Sequence, residues 1–296
     1  MALERTGGAL TARRAACPEG GTAVRGEDLS PAPTAPLTHL ERRRKVRQTD
    51  SLTNRCAVCS GKDVSMANIS DLEALLRPPA MELPPYPPKA ITLASGETMV
   101  VRQVSRNEIP VLLEAIYPLL LVERDFYDIV AARLYGELLA YMRYRVKDEY
   151  VLAGLIDGVL AGMVNGRMVD RKTGMSYHTL TIRRGLRVGS HLFAAKMEYH
   201  IEHCGQEDVL IVAESPIGFR RWMIEYPLEK RFDVQHELGG VPSWVLPKET
   251  YYAAKPRLVS GHQPVSEDLL RSASTIVLPG EDTVVRQVAG DKEEQQ

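Results

Sequence analysis

The stretch from Thr181 to Phe193, TIRRGLRVGSHLF, holds the residues best suited to chemistry. A β-type segment ends there, a short loop with Gly185 and Gly189 follows, and a helical pattern begins. The first turn of a helix leaves backbone N–H groups without intrahelical partners, and glycines let a ligand approach the chain closely. Arg183, Arg184 and Arg187 add positive charge. These features describe a site for a phosphate or diphosphate. The loop lacks the Gly-Lys-Ser/Thr ending of a P-loop and does not spell the dinucleotide fingerprint GxGxxG. The same turn would also serve as a purely structural join. Cys56 and Cys59 form a lone CxxC, short of the four ligands of a structural zinc site, with His200, His203 and Cys204 far along the chain. They read as free thiols and surface histidines, and no metal is expected.

The elements that must position the loop follow from periodicity. Glu97–Ser105 alternates as a strand, and Glu108–Leu121 reads as a helix with Pro110 in its first turn. Asp125–Arg145 is a long amphipathic helix with Phe126, Ile129, Val130, Leu134, Leu138 and Tyr141 on one face. Tyr150–Ile156 and Val159–Val169 flank Asp157-Gly158, a hairpin signal. Met175–Ile182 is a strand, Gly189–Cys204 a helix, Val209–Ala213 a continuous apolar strand, Phe219–Glu225 a short helix and Phe232–Leu238 a last strand. The order specifies an α/β domain with a mixed sheet. The strand–helix–strand unit from Met175 to Ala213 places its two strands side by side and parallel.

Composition is uneven. Residues 1–90 hold ten of the nineteen prolines and one aromatic, Tyr86, so this part lacks the apolar groups to offset the entropy of ordering. It reads as a disordered, Pro-rich arm and linker over 1–88, with one helical turn at Ser70–Leu76. Leu83–Tyr86, LPPY, is similar to a WW-domain ligand but reads as plain linker, and the basic run Arg42–Lys45 as a solvated tail. Met66 or Met81 would serve as an alternative start. A net charge of −1 argues against nucleic-acid binding driven by global charge. No run reaches the length of a membrane helix, and four cysteines are too few for a disulfide scaffold. A soluble protein in a reducing, cytoplasmic compartment is expected, with no membrane partner.

Arg184-Gly185-Leu186-Arg187-Val188-Gly189 resembles the acyl-CoA diphosphate loop of the GNAT acyltransferase superfamily, whose pattern is Gln or Arg, two residues, Gly, one residue, Gly or Ala. Val188, Ser190 and Leu192 also suit that pattern, and Arg187 stands where the family usually has Gly. The element order over residues 91–250 agrees. The resemblance implies an N-acetyltransferase-like domain with a mixed, largely antiparallel splayed sheet and flanking helices. It implies acetyl-CoA as cosubstrate, with pantetheine along Leu180 to Ile182 and the diphosphate on Arg184, Gly185, Arg187, Val188, Gly189 and Ser190. An amine, on a small molecule or a peptide, would attack the thioester directly. Glu214 and His178 are the candidate bases. The helix tyrosine that often protonates the thiolate has no clear counterpart: Trp222 takes its place in the spacing, and Tyr226 is the nearest tyrosine. A catalytically silent member of the fold, binding CoA or a protein partner, is the alternative, and an interaction protein working through its N-terminal arm is a third. A homodimer is left open.

Residues 91–104, ITLASGETMVVRQV, and 276–288, IVLPGEDTVVRQV, share nine of thirteen aligned positions. The second copy reads as a duplicated first strand within an otherwise irregular tail, 251–296, left unpaired in solvent.

Overall fold

The computed structural model describes residues 68–76, 82–231, 233–236, 238, 243–258 and 262–289. The arm before residue 68, with the CxxC pair and the basic run, lies outside them. Among the described residues nine strands form one sheet in the order β7-β8-β6-β5-β4-β3-β2-β1-β9. They are β1 (Lys89–Thr92), β2 (Thr98–Gln103), β3 (Glu149–Ile156), β4 (Val159–Met168), β5 (Thr173–Thr181), β6 (Asp208–Ile211), β7 (Glu229–Arg231), β8 (Ser243–Pro247) and β9 (His262–Pro264). Every pairing is antiparallel except β5 with β6. The mixed, largely antiparallel sheet and the parallel β5/β6 neighbours match the expectation from sequence.

Helices cover both faces, which is why the central strands are buried throughout rather than alternately. On one face α2 (Ile109–Ile116) and α3 (Tyr127–Met142) pack on Val100, Val151, Met163 and Leu180. On the other, α4 (Val188–Glu198) packs on Met99, Val101, Leu152 and Val164. Beyond it, α5 (Pro216–Glu225) and α6 (Lys248–Leu258) close a third cluster around Phe193, Ile211 and Leu246. The short helix α1 (Ile69–Leu76) forms where one turn was expected.

Three expectations are corrected. Residues 82–88 are not a disordered linker: Tyr86 is buried, its hydroxyl donates to Glu198 Oε2 at 2.8 Å, and its backbone N–H donates to Gln103 Oε1 at 3.0 Å. One buried aromatic ring with two polar partners, Glu198 buried and Gln103 half-buried, outweighs the weak ordering tendency of its proline neighbours, and a buried Tyr86 is no free WW ligand. The last strand of the region is not 232–238; β7 and β8 flank that stretch, and β8 inserts between β6 and β7. The tail is neither irregular nor orphaned. It supplies β9, which pairs with β1, then α7 (Glu267–Ser272) and α8 (Glu281–Ala289). The second VVRQV is helical, and its Val284 and Val288 are buried in the α2–α3 cluster with Ala273 and Ile276. Val277 bridges Val159, and the Gly158 turn sits against Ser272 so closely that a Cβ there would lie 2.8 Å from the Ser272 carbonyl oxygen. Among the described residues no helix is long and apolar enough to cross a membrane.

Candidate functional site

The β5/β6 pairing stops at Ser176 and Ile211, while β5 runs on to Thr181. The two strand ends diverge, and a cavity of about 560 Å³ opens between them. Thr179, Leu180 and Thr181 of β5 line one side, and Glu214, Ser215, Gly218, Arg220 and Trp222 the other. The floor is Arg183, Arg184, Gly185 and Arg187 of the loop, with Val188, Gly189 and Ser190 of α4. Among the described residues no side chain caps α4, so the amides of its first turn are not claimed by a capping group. At Gly189 a Cβ would meet Thr181 Oγ1 at 2.6 Å, so only glycine lets the helix start this close to β5.

Arg187 explains its own departure from the family pattern. Its backbone is left-handed, φ 60°, the conformation glycine adopts without strain. Its side chain turns to Glu225 at 2.7 Å. The other loop arginines are paired as well: Arg183 with Glu97 at 2.8 Å, and Arg184 with Asp125 at 2.7 Å and the Val288 carbonyl at 3.0 Å. Asp125 is presented by two successive left-handed residues, Asp125 (φ 55°) and Phe126 (φ 61°), just before α3. Arg220, exposed at the rim, forms no ion pair among the described residues.

A line of buried polar groups crosses the sheet beside the cavity. Glu149 Oε1 accepts from Asn165 Nδ2 at 2.9 Å, and Asn165 Oδ1 accepts from the His178 backbone N–H at 3.0 Å. His178 Nδ1 lies 2.7 Å from Glu214 Oε2, and Arg133 donates to Glu214 Oε1 at 3.1 Å. Burial pushes the Glu214 carboxyl up, but hydrogen bonds and charges from His178 and Arg133 outweigh it and hold it below the usual carboxylate range. Glu149 goes the other way: burial pushes it up to about 8, with the Asn165 hydrogen bond opposing. The line depends on a bulge, since two residues of β5, Tyr177 and His178, stand opposite the single Asn165 between the Val164–Thr179 and Gly166–Ser176 pairs.

Of the site residues read from sequence, Leu180, Arg184, Gly185, Arg187, Val188, Gly189, Ser190 and Glu214 line the cavity. His178 is buried behind Glu214, with Nε2 free of partners among the described residues. Ile182, just past the end of β5, is buried in the α2–α3 cluster and is not part of the cavity lining. Tyr226 is also displaced: it packs against Phe193 with its ring fully buried, and Trp222 takes the cavity wall. Nor is His200 a surface residue; it is buried and bonded to Gln206. Sequence reasoning passed over Asp125, Arg133, Asn165, Thr179 and Lys196. Only Lys196 carried a signal, as a cation on the helix side that holds Leu192, Phe193 and Ala195.

No protein-family model matches the chain, and no curated protein sequence matches it. Solved structures do. An uncharacterized protein from Bacillus halodurans is 10% identical, covering 59% of this chain and 97% of its own, with a TM-score of 0.44. The GNAT domain of S. lividans PAT is 13% identical over 54% of this chain and 96% of its own, TM-score 0.41. The PaiA N-acetyltransferase from Thermoplasma acidophilum, solved in complex with coenzyme A, is 12% identical over 50% and 98%, TM-score 0.36.

Proposed function

We propose that this chain is an acyl-CoA-dependent N-acyltransferase, carrying an acetyl group from acetyl-CoA to an amine. The observation that supports this most is the cavity between the diverging ends of β5 and β6, floored by a Gly/Arg loop and the uncapped start of α4. The donor set suits a long anionic thioester. Amides of Val188 and Gly189 would receive the diphosphate, and the β5 edge from Thr179 to Thr181 offers backbone groups to a pantetheine arm. Trp222 and Val130 give the middle of the cavity apolar surface.

Glu214 and His178 form the base. The carboxylate is kept ionised by Arg133 and the imidazole, so it can take the proton of an attacking amine directly or through water. Holding amine and thioester together supplies much of the rate. The acceptor class, a small molecule or a peptide, is part of the proposal. A silent CoA-binding protein is the second reading, favoured by one observation: each loop arginine is already paired to a carboxylate.

Calorimetric titration with acetyl-CoA tests the reading. The full chain should bind, and Gly189→Glu should lower affinity at least ~10-fold, because the side chain collides with Thr181 and repels the diphosphate. No binding by the native chain overturns both readings. Binding without CoA release across a panel of amines leaves the silent one.

A further inference from the structure

Lys196 is fully buried on α4. An ammonium there is tolerable only if its donors are satisfied. All three are: it donates to the Tyr177 carbonyl at 3.2 Å, the His178 carbonyl at 3.1 Å and Thr179 Oγ1 at 3.2 Å. The two carbonyls belong to the bulge of β5, so the lysine and the bulge hold each other in place. The third contact reaches further. Thr179 accepts from Lys196, its own hydroxyl hydrogen has no acceptor among the described residues, and it lines the cavity. It lies one residue nearer the closed end of the strand divergence than Leu180, where the sulfur end of a pantetheine arm would arrive. Tyr226, which would otherwise protonate the leaving group, is packed away from the cavity.

We propose that Thr179, backed by Lys196, serves the departing thiolate: the threonine hydroxyl donates to the sulfur, and the lysine supplies the positive charge and the proton behind it. This rests on the acyl-CoA reading. The amine nitrogen bonds to the carbonyl carbon, the carbon–sulfur bond breaks, and its electron pair goes to sulfur. Sulfur takes the Thr179 hydrogen, and the threonine oxygen takes one from the Lys196 ammonium. Lysine is recharged with the proton the amine gave up to Glu214 and His178, so no proton is gained or lost. Charged and titratable groups around Lys196 are Glu214 just past β6, His178 on β5 and His200 in the π-helical segment that continues α4, with the Phe193 ring 5.4 Å away on its own helix. Burial lowers the lysine to about 7 against the pull of Glu214, which suits proton transfer near neutrality.

The test is the thiol of free CoA bound to the protein, titrated by the ultraviolet absorbance of its thiolate. In the native chain the bound thiol should ionise at least about one pH unit below free CoA. With each variant saturated with CoA, Lys196→Met and Thr179→Val should abolish that shift, and Thr179→Ser should keep it. If Lys196→Met does not fold, the Val and Ser variants decide. A shift that survives in Thr179→Val, or a bound thiol that ionises as in solution, overturns the inference while leaving the acyl-CoA reading intact. Failure of the native chain to bind CoA removes that reading and this inference with it.

Discussion

The pentapeptide VVRQV occurs twice, and its two copies fold differently. Val100–Val104 lies in and just past β2, whereas Val284–Val288 lies within α8. In β2 the chain runs between β1 and β3, and the valines alternate: Val101 faces the α4 cluster and Val100 the α2–α3 cluster. In α8 the pattern is read at a spacing of four. Val284 and Val288 enter the core together, Val285 is half-buried, and Arg286 is exposed. What differs locally lies upstream. The strand copy follows a turn with Gly96 at φ 86° and Thr98-Met99. The helix copy follows Pro279-Gly280, with Glu281 and Asp282 in its first turn, where carboxylates favour the helix dipole. Valine has modest helix propensity, so the five shared residues do not choose. Caps and neighbours do.

The sharpest way to break this comparison is to remove one copy. Deleting residues 265–296 takes Ala273, Ile276, Val284 and Val288 out of the core and leaves Arg102 without the Ala273 carbonyl it donates to at 2.6 Å. About 4 kcal/mol should be lost, lowering the melting temperature by ~10 °C. An unchanged melting temperature would show the tail to be a passenger.

Next come the two arginines. Arg102 is nearly buried and pairs with Glu108 at 2.5 Å, whereas among the described residues Arg286 reaches only the Asp282 carbonyl on its own helix. Arg102→Met should cost about 2–3 kcal/mol in denaturant titration, and Arg286→Met less than ~0.5. The two should also part on pH. Burial pushes the Glu108 carboxyl up, but Arg102 and the Ser105 groups pull it further down, to a net value below the ordinary one. Its contribution is therefore present above the unfolded carboxylate value and is lost as pH falls through the lower folded one. The gap between native and Arg102→Met should narrow in acid, while the Arg286 gap stays flat.

The smallest effect sharpens the comparison most. Val101→Ala removes two methyls from a site with no exposure and should cost about 2 kcal/mol. Val285→Ala trims a half-buried helix position, where lost contact and better helix propensity offset each other, and should change stability by less than ~0.5 kcal/mol. Equal costs would mean that the two copies share more of their environment than the fold assigns them.

The candidate site was legible in the same uneven way. The Thr181–Phe193 loop was readable because its signals are local: glycines where the backbone turns left-handed or approaches closely, and arginines beside a helix start. Glu214 and His178 could be picked as acid–base residues, yet their 2.7 Å contact joins β5 to the segment just past β6, beyond the Ser176–Ile211 pair where the two strands part. Tyr226 was misplaced because spacing along a helix does not say which side meets the cavity; the stacking of Trp222 on Phe193 decided that.

By itself, the sequence determined the strand and helix pattern from β2 to α5, the parallel β5/β6 pair and the Gly/Arg turn that opens α4. Each of these rests on periodicity or backbone chemistry within a few residues. Only the tertiary structure decided that Tyr86 docks on Glu198, that the tail completes the α2–α3 core, and that Glu149, Asn165, His178, Glu214 and Lys196 gather around one bulge. Those outcomes depend on groups far apart in the chain satisfying one another's burial, and a buried polar group declares its partner only when the chain has brought the two together.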